Sequence, residues 1–280
     1  MSDTAFQVQY RKEAVMGFEQ GVSHLRHSVL TEATYKGNQA TFMVASSSGA
    51  TPNTRGVNGL IPARADDLNQ YTATLVEWHD LVRRTSFNLF ASQGDGRRIM
   101  QETTRKVMNR KIDSDILTEL QNATQTTGAA VTASLALVVK SKTILGNNGV
   151  LEGDDDDNLF GVISFAFDAY LMQIPEYTKA DYVEIKPFAM PTKRFKRWAG
   201  VNWIVHPNIV GKGTSLEYCF MYHRNAIGHA VNTGDIDARA GYHEEQDYSW
   251  ARTTGFFGSK LLQNSGVVVM KHDGSAYVAS

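Results

Sequence analysis

Two stretches carry the side chains best suited to hold a metal or move a proton. One is the run Asp154–Asp157 in "LEGDDDDNLF"; the other is His243 with Glu244, Glu245 and Asp247 in "YHEEQDYS". Calcium loops alternate their ligands, because consecutive side chains cannot all face one ion. Four successive aspartates in a turn diverge, so the run reads as a solvated turn held open by charge repulsion, with weak divalent-ion binding as the second reading. The His243 cluster has no second histidine nearby to complete a metal or acid–base site, and it too reads as a solvated turn. The remaining histidines are scattered, with His24 and His27 three apart and His223 and His229 flanking a short segment. "GFFGSK" (255–260) lacks the spacing of a phosphate-binding loop, and GxGxxG, GxSxG and HExxH do not occur. A metal-assisted enzyme on Asp154–Asp157 and His243 is thus an alternative without a completed site. No catalytic, cofactor or metal residue is assigned.

Of 280 residues, 42% are apolar and 20% charged, ordinary for an ordered globular protein. A formal net charge of −1 argues against a basic nucleic-acid wrapper or a polybasic membrane anchor. Cys219 is the single cysteine, which rules out an intrachain disulfide and disfavours a thiolate zinc site. Residues 1–10 show no secretory leader, and no apolar run approaches the ~20 residues that span a bilayer.

What must position any functional surface is an α+β succession of elements. Ala14, Val15, Phe18, Val22 and Leu25 predict a first helix with a narrow apolar face, weakened by Gly17 and Gly21. Strands are expected at 39–46 and 71–79. Between them about two dozen residues rich in Gly, Ser, Thr, Asn and Pro form either a surface loop or a long hairpin that finds its partner on another subunit. A helix is expected over Arg97–Asn122, with an i+4 row of Met108, Ile112, Ile116 and Leu120 flanked by Met100, Val107 and Leu117. A second helix is expected after a Thr132 cap, burying Leu135, Val138, Val139, Lys142 and Leu145 and ending at Gly146. Then come a strand in "NLFGVIS", a short helix in "FAFDAYLMQI" stopped by Pro175, single strands in "RWAGVNWIVHP" and "LEYCFMYH", and a short buried helix in "NAIGHAV". Two closing strands flank the turn Asn264-Ser265-Gly266.

The long helix has an unusual charge order. Arg97, Arg98, Arg105, Lys106, Arg110 and Lys111 fill its first half, and Asp113, Asp115 and Glu119 its second. The helix dipole prefers the reverse, by ~0.3–1 kcal/mol per terminal charge. These charges are therefore expected either to answer to partners outside the chain or to form a solvated face.

The order of these segments, with the closing stretch "ARTTGFFGSKLLQNSGVVVMKHD" and the block "RWAGVNWIVHPNI…CFMYHRNAIGHAV", resembles the major capsid protein of tailed double-stranded DNA bacteriophages over nearly the whole chain. The resemblance implies an N-terminal arm at 1–35 and an extended β-hairpin loop at 36–80. It implies a peripheral domain at 81–129 and 241–280 holding the long spine helix, and an axial domain at 130–240. It implies a non-enzymatic shell subunit without cofactors, made and assembled in the host cytoplasm and residing in the virion. Expected partners are other copies in pentamers and hexamers, a separate scaffolding protein, a portal, a decoration protein, and packaged double-stranded DNA bound without sequence specificity. Some relatives join subunits through a loop lysine. Residues 39–70 hold Arg55 and Arg64 but no lysine, so a non-covalent shell is expected. The assembly contacts expected are Arg55, Arg64, Asp66 and Asp67 on the loop, with the six basic residues of the helix. An encapsulin-like compartment on the same fold is the alternative.

Overall fold

Met100, Thr104, Met108, Ile112, Ile116 and Leu120 stand four apart and are all buried, none more than 2% exposed. They form the inner ridge of a 26-residue helix around which the body is arranged. The computed structural model describes residues 20–34, 37–47, 49–63, 67–86, 96–151, 158–178, 195–232 and 237–277. In chain order its elements are β1 (Leu30–Thr34), β2 (Gln39–Ser46), β3 (Asp67–Thr74), β4 (Val76–Thr85), α1 (Gly96–Gln121), α2 (Leu135–Asn147), β5 (Leu159–Ile163), α3 (Phe165–Leu171), α4 (Pro175–Thr178), β6 (Phe195–Trp198), β7 (Val201–Val205), β8 (Glu217–His223), β9 (Ile227–Asn232), β10 (Asp237–His243), β11 (Tyr248–Leu261) and β12 (Val267–His272).

Among the described residues these strands form two five-stranded sheets and one two-stranded ladder. In the first sheet β11 is the long central member, with Phe257 paired to Val76 on one side and Val231 on the other. The helix α1 packs on β11. The second sheet runs β12-β8-β5-β7-β6 and is buried on both faces. Val162, Ile204, Phe220, Tyr222, Val267 and Val269 join the core under α1. Their neighbours Ile163, Val205, Cys219, Met221 and Val268 face the second core, with α2 and α3. A strand covered on both faces needs a continuous apolar run, which is what "YCFMY" supplies.

The long helix lies within one residue of the sequence expectation, except that Val107 is exposed rather than part of the apolar flank. Several local readings are corrected. Residues 20–25 are not helical: the chain runs through bends into a short 3-10 turn at Arg26–Ser28, Leu25 is buried and Val22 is 63% exposed. The earlier part of the expected first helix lies outside the described residues. The segment read as one strand at 71–79 breaks at Leu75, between β3 and β4. Gly258 makes that crossing fit, because a Cβ there would collide with the Thr74 carbonyl oxygen.

The cap of α2 is Ser134, whose Oγ accepts from Leu137 N at 3.3 Å, not Thr132. Its buried face is Leu137, Val138, Ser141 and Leu145, while Val139 is exposed and Lys142 donates to the Ala199 carbonyl at 2.8 Å. The helix continues past Gly146, and the left-handed turn falls on Gly149. Pro175 opens α4 rather than merely closing α3. "RWAGVNWIV" is a hairpin, β6 and β7, turned at Ala199 and Gly200 with φ of 56° and 71°. "NAIGHAV" is not a helix: after a 3-10 turn at Arg224–Ala226 it becomes β9, held between β1 and β11. Two β partners outweigh a local apolar spacing that suits either state.

Cys219 is fully buried, and burial pushes its thiol up to about 12. We expect it to resist maleimide in the folded chain and to label in denaturant. Labelling of the folded subunit would show that β8 opens.

Candidate assembly surfaces

The pair β2–β3 is a hairpin in register from Gln39↔Thr74 to Ser46↔Asp67. Its root is fixed: Ala40, Phe42 and Ala73 are buried against Ala230 and Leu262. The Phe42 ring lies against Gly228, in space that a side chain there would need. Beyond the ladder, residues 49–63 are exposed throughout, including Val57, Leu60 and Ile61. The tip is turned by bonds from Gly59 N to Gly56 O and from Gly56 N to Leu60 O, both 2.9 Å. The hairpin therefore has an anchored root and an uncovered apolar tip. Arg55 is on this exposed tip and Asp67 at the ladder end, whereas Arg64 and Asp66 lie outside the described residues.

On α1 the charges divide. The acidic half is absorbed within the chain, contrary to the expectation of outside partners. Asp113 is buried, Asp115 bonds Ser259, and Glu119 accepts from Leu261 N at 3.1 Å. Two of the cations are also engaged inside: the Lys111 ammonium lies 3.9 Å from the centre of the Trp78 ring, and Arg110 faces Asp80. Arg98 pairs with Glu102 one turn on, at 3.5 Å. The Arg97 side chain lies outside the described residues. Arg105 and Lys106 instead line an open groove of about 520 Å³ with Arg26, His27, Asn109 and one acid, Glu102. One wall of it is the chain at residues 21–27, tied down where Asn109 Nδ2 donates to the Gly21 carbonyl at 2.9 Å.

That wall is held by a residue whose role was not legible beforehand. The Asp113 carboxylate accepts from Ser23 Oγ (2.5 Å), His24 N (3.0 Å), Leu25 N (3.2 Å), His206 Nε2 (3.1 Å) and Gln20 Nε2. Burial alone raises the pKa of such a carboxyl. The bonds from His206, His24 and Ser23 outweigh it and leave Asp113 below the ordinary aspartate range. The available signal was an acid four residues before Leu117, on the flank of an otherwise apolar ridge.

Nothing among the described residues assembles a catalytic or metal centre. They contain no group of three His, Cys, Asp or Glu placed to hold an ion. His243 stacks on Tyr248 at 5.1 Å while Glu244 and Glu245 are exposed in the turn between β10 and β11. Asp154–Asp157 lie outside the described residues. One partly buried row, Asp115–Ser259–His229, brings hydrolase residue types together. The serine stands between acid and imidazole, whereas a proton relay needs the imidazole in the middle. His229 is moreover fully buried, and burial takes its pKa down to about 4.

A family model described as phage capsid protein matches residues 2–274. The chain belongs to the phage capsid protein family. No curated protein matches it. Solved structures with a similar fold include that of Mycobacterium phage Che8, with 12% identity, 96% of this chain and 98% of that one covered, and a TM-score of 0.74. The capsid of Ralstonia phage GP4 shares 13% identity over 99% and 98% of the two chains at 0.70. The capsid of a native GTA particle shares 12% over 97% and 96%, also at 0.70. At these identities the likeness concerns the fold, and the family carries the function: the capsid protein is a structural shell subunit of a phage head, self-associating and resident in the virion.

Proposed function

We propose that the subunit closes an icosahedral head of pentamers and hexamers around double-stranded DNA, and that its work is purely structural. The observation that carries this reading is the hairpin with a buried root and an exposed apolar tip. In this reading residues 1–35 form the arm and 36–80 the extended loop. Residues 81–129 with 241–280 form the peripheral domain, and 130–240 the axial domain. A separate scaffolding protein, a portal and a decoration protein act on the same shell, which is assembled non-covalently in the host cytoplasm.

Contacts between copies run through Arg55, Arg64, Asp66 and Asp67 on the loop and through the basic half of α1. Arg105 and Lys106 are the residues to test, because Arg110, Lys111 and Arg98 already serve partners inside the chain. Rim ion pairs contribute only ~0–1 kcal/mol each, but a closed shell repeats them at every interface. The double substitution Arg105→Glu/Lys106→Glu should stop particle formation by electron microscopy while leaving circular dichroism and melting intact. Full-sized shells from this variant would overturn the assignment, and shells that fail only to retain DNA would make the genome the partner.

A further inference from the structure

The Asp113 site does more than satisfy a buried charge. Asn208 donates its backbone N–H to His206 Nδ1 at 3.1 Å, which leaves the His206 proton on Nε2, aimed at Asp113 Oδ2. Asn208 Nδ2 donates to Gln20 Oε1 at 3.3 Å, and Gln20 Nε2 donates back to the same Asp113 oxygen. Gln20, Asp113, His206 and Asn208 thus close a ring of hydrogen bonds. It joins three separate parts of the chain: the segment entering from the N-terminal side, the middle of α1, and the turn after β7. Ser23 Oγ and the amides of His24 and Leu25 fill the other acceptor positions of the carboxylate. His206 and Asp113 are almost wholly excluded from solvent. Gly21 and Val22, next along the chain, line the groove with Arg105 and Lys106.

We infer that Asp113 is the positioning residue for the root of the N-terminal arm, a latch that holds residues 20–25 against α1 and with them one wall of the groove. This rests on the shell-subunit reading and adds to it the means by which the arm's root is aimed. A buried carboxylate with five donors has no equivalent alternative position, so the root is held in one orientation rather than a range. The donors from Gln20 and Ser23 belong to the root alone. Removing them should loosen it without opening the core beneath.

The test is hydrogen exchange and assembly of the full chain carrying Gln20→Ala/Ser23→Ala. Exchange at the His24 and Leu25 amides should rise at least tenfold, with α1 residues 112–120 and β7 unchanged, and the yield of shells should fall at least tenfold. Ser23→Thr, which retains the hydroxyl, should behave as the parent. The inference is overturned by a rise below tenfold at those two amides, by acceleration that spreads equally through α1 and β7, or by shells of parental size and yield despite a released root. Arg105→Glu/Lys106→Glu separates this from the assembly reading, because it should block shells while the root amides stay protected.

Discussion

A chain lacking residues 50–60 is expected to fold and melt like the parent and to form no shells. All eight pairs of the β2–β3 ladder lie outside the deletion, as does the buried root of Ala40, Phe42 and Ala73. The removed residues are exposed throughout, so the fold loses no buried apolar surface. Assembly loses Val57 and Leu60, each worth ~1.5–3 kcal/mol when fully covered by a neighbour. The loss recurs at every copy, so a modest energy per contact becomes an all-or-none change in particle yield. Sedimentation together with negative-stain imaging reads both halves of the prediction. Normal particles would sink it, and a fall in melting temperature of more than a few degrees would place the loop in the fold instead.

The second large effect concerns the flank of the second sheet. Lys196 on β6 reaches both carboxylate oxygens of Asp168 on α3, at 2.8 and 2.7 Å, and Tyr177 donates to the same group at 3.3 Å. The two side chains are 16% and 8% exposed, beside a cluster in which the Tyr177 and Trp198 rings meet edge-on at 5.0 Å. Lys196→Met leaves the carboxylate buried with its cation gone, which costs about 3–5 kcal/mol. For a chain of this size that is a melting temperature lower by roughly 10 °C. The double variant Asp168→Leu/Lys196→Met should recover most of the loss, since an apolar pair of similar volume removes the stranded charge. Thermal denaturation of both variants decides it. An unchanged melting point for the single variant would mean that water reaches Asp168 freely.

Much of this architecture was legible in the chain because it rests on local periodicity. The row from Met108 to Leu120 can only be the buried face of a long helix, and "QATFMVAS" can only be a half-covered strand. The polar stretch after it is too long to be a simple turn, which left a surface loop or a long hairpin, and the β2–β3 ladder made it the hairpin. The order of these segments, each weak alone, was enough to place the chain in its family. The resemblance did not depend on any one residue.

What only the tertiary structure decided is which partner each ambiguous or charged segment meets. "NAIGHAV" has an apolar spacing compatible with helix or strand, and two neighbouring strands, far away in sequence, made it β9. Residues 20–25 carry part of a helical pattern, yet Asp113, about ninety positions on, draws their amides and side chains into its own shell of donors. The same holds along α1. Its split of charge can be read from the sequence, but whether a charge faces solvent, a neighbour or the core depends on long-range packing. Asp113, Asp115 and Glu119 found their partners inside the chain, while Arg105 and Lys106 were left lining an open groove. Periodicity is a local property, written into consecutive residues. The pairing of a buried polar group is set by contacts across the fold, and no stretch of sequence contains it.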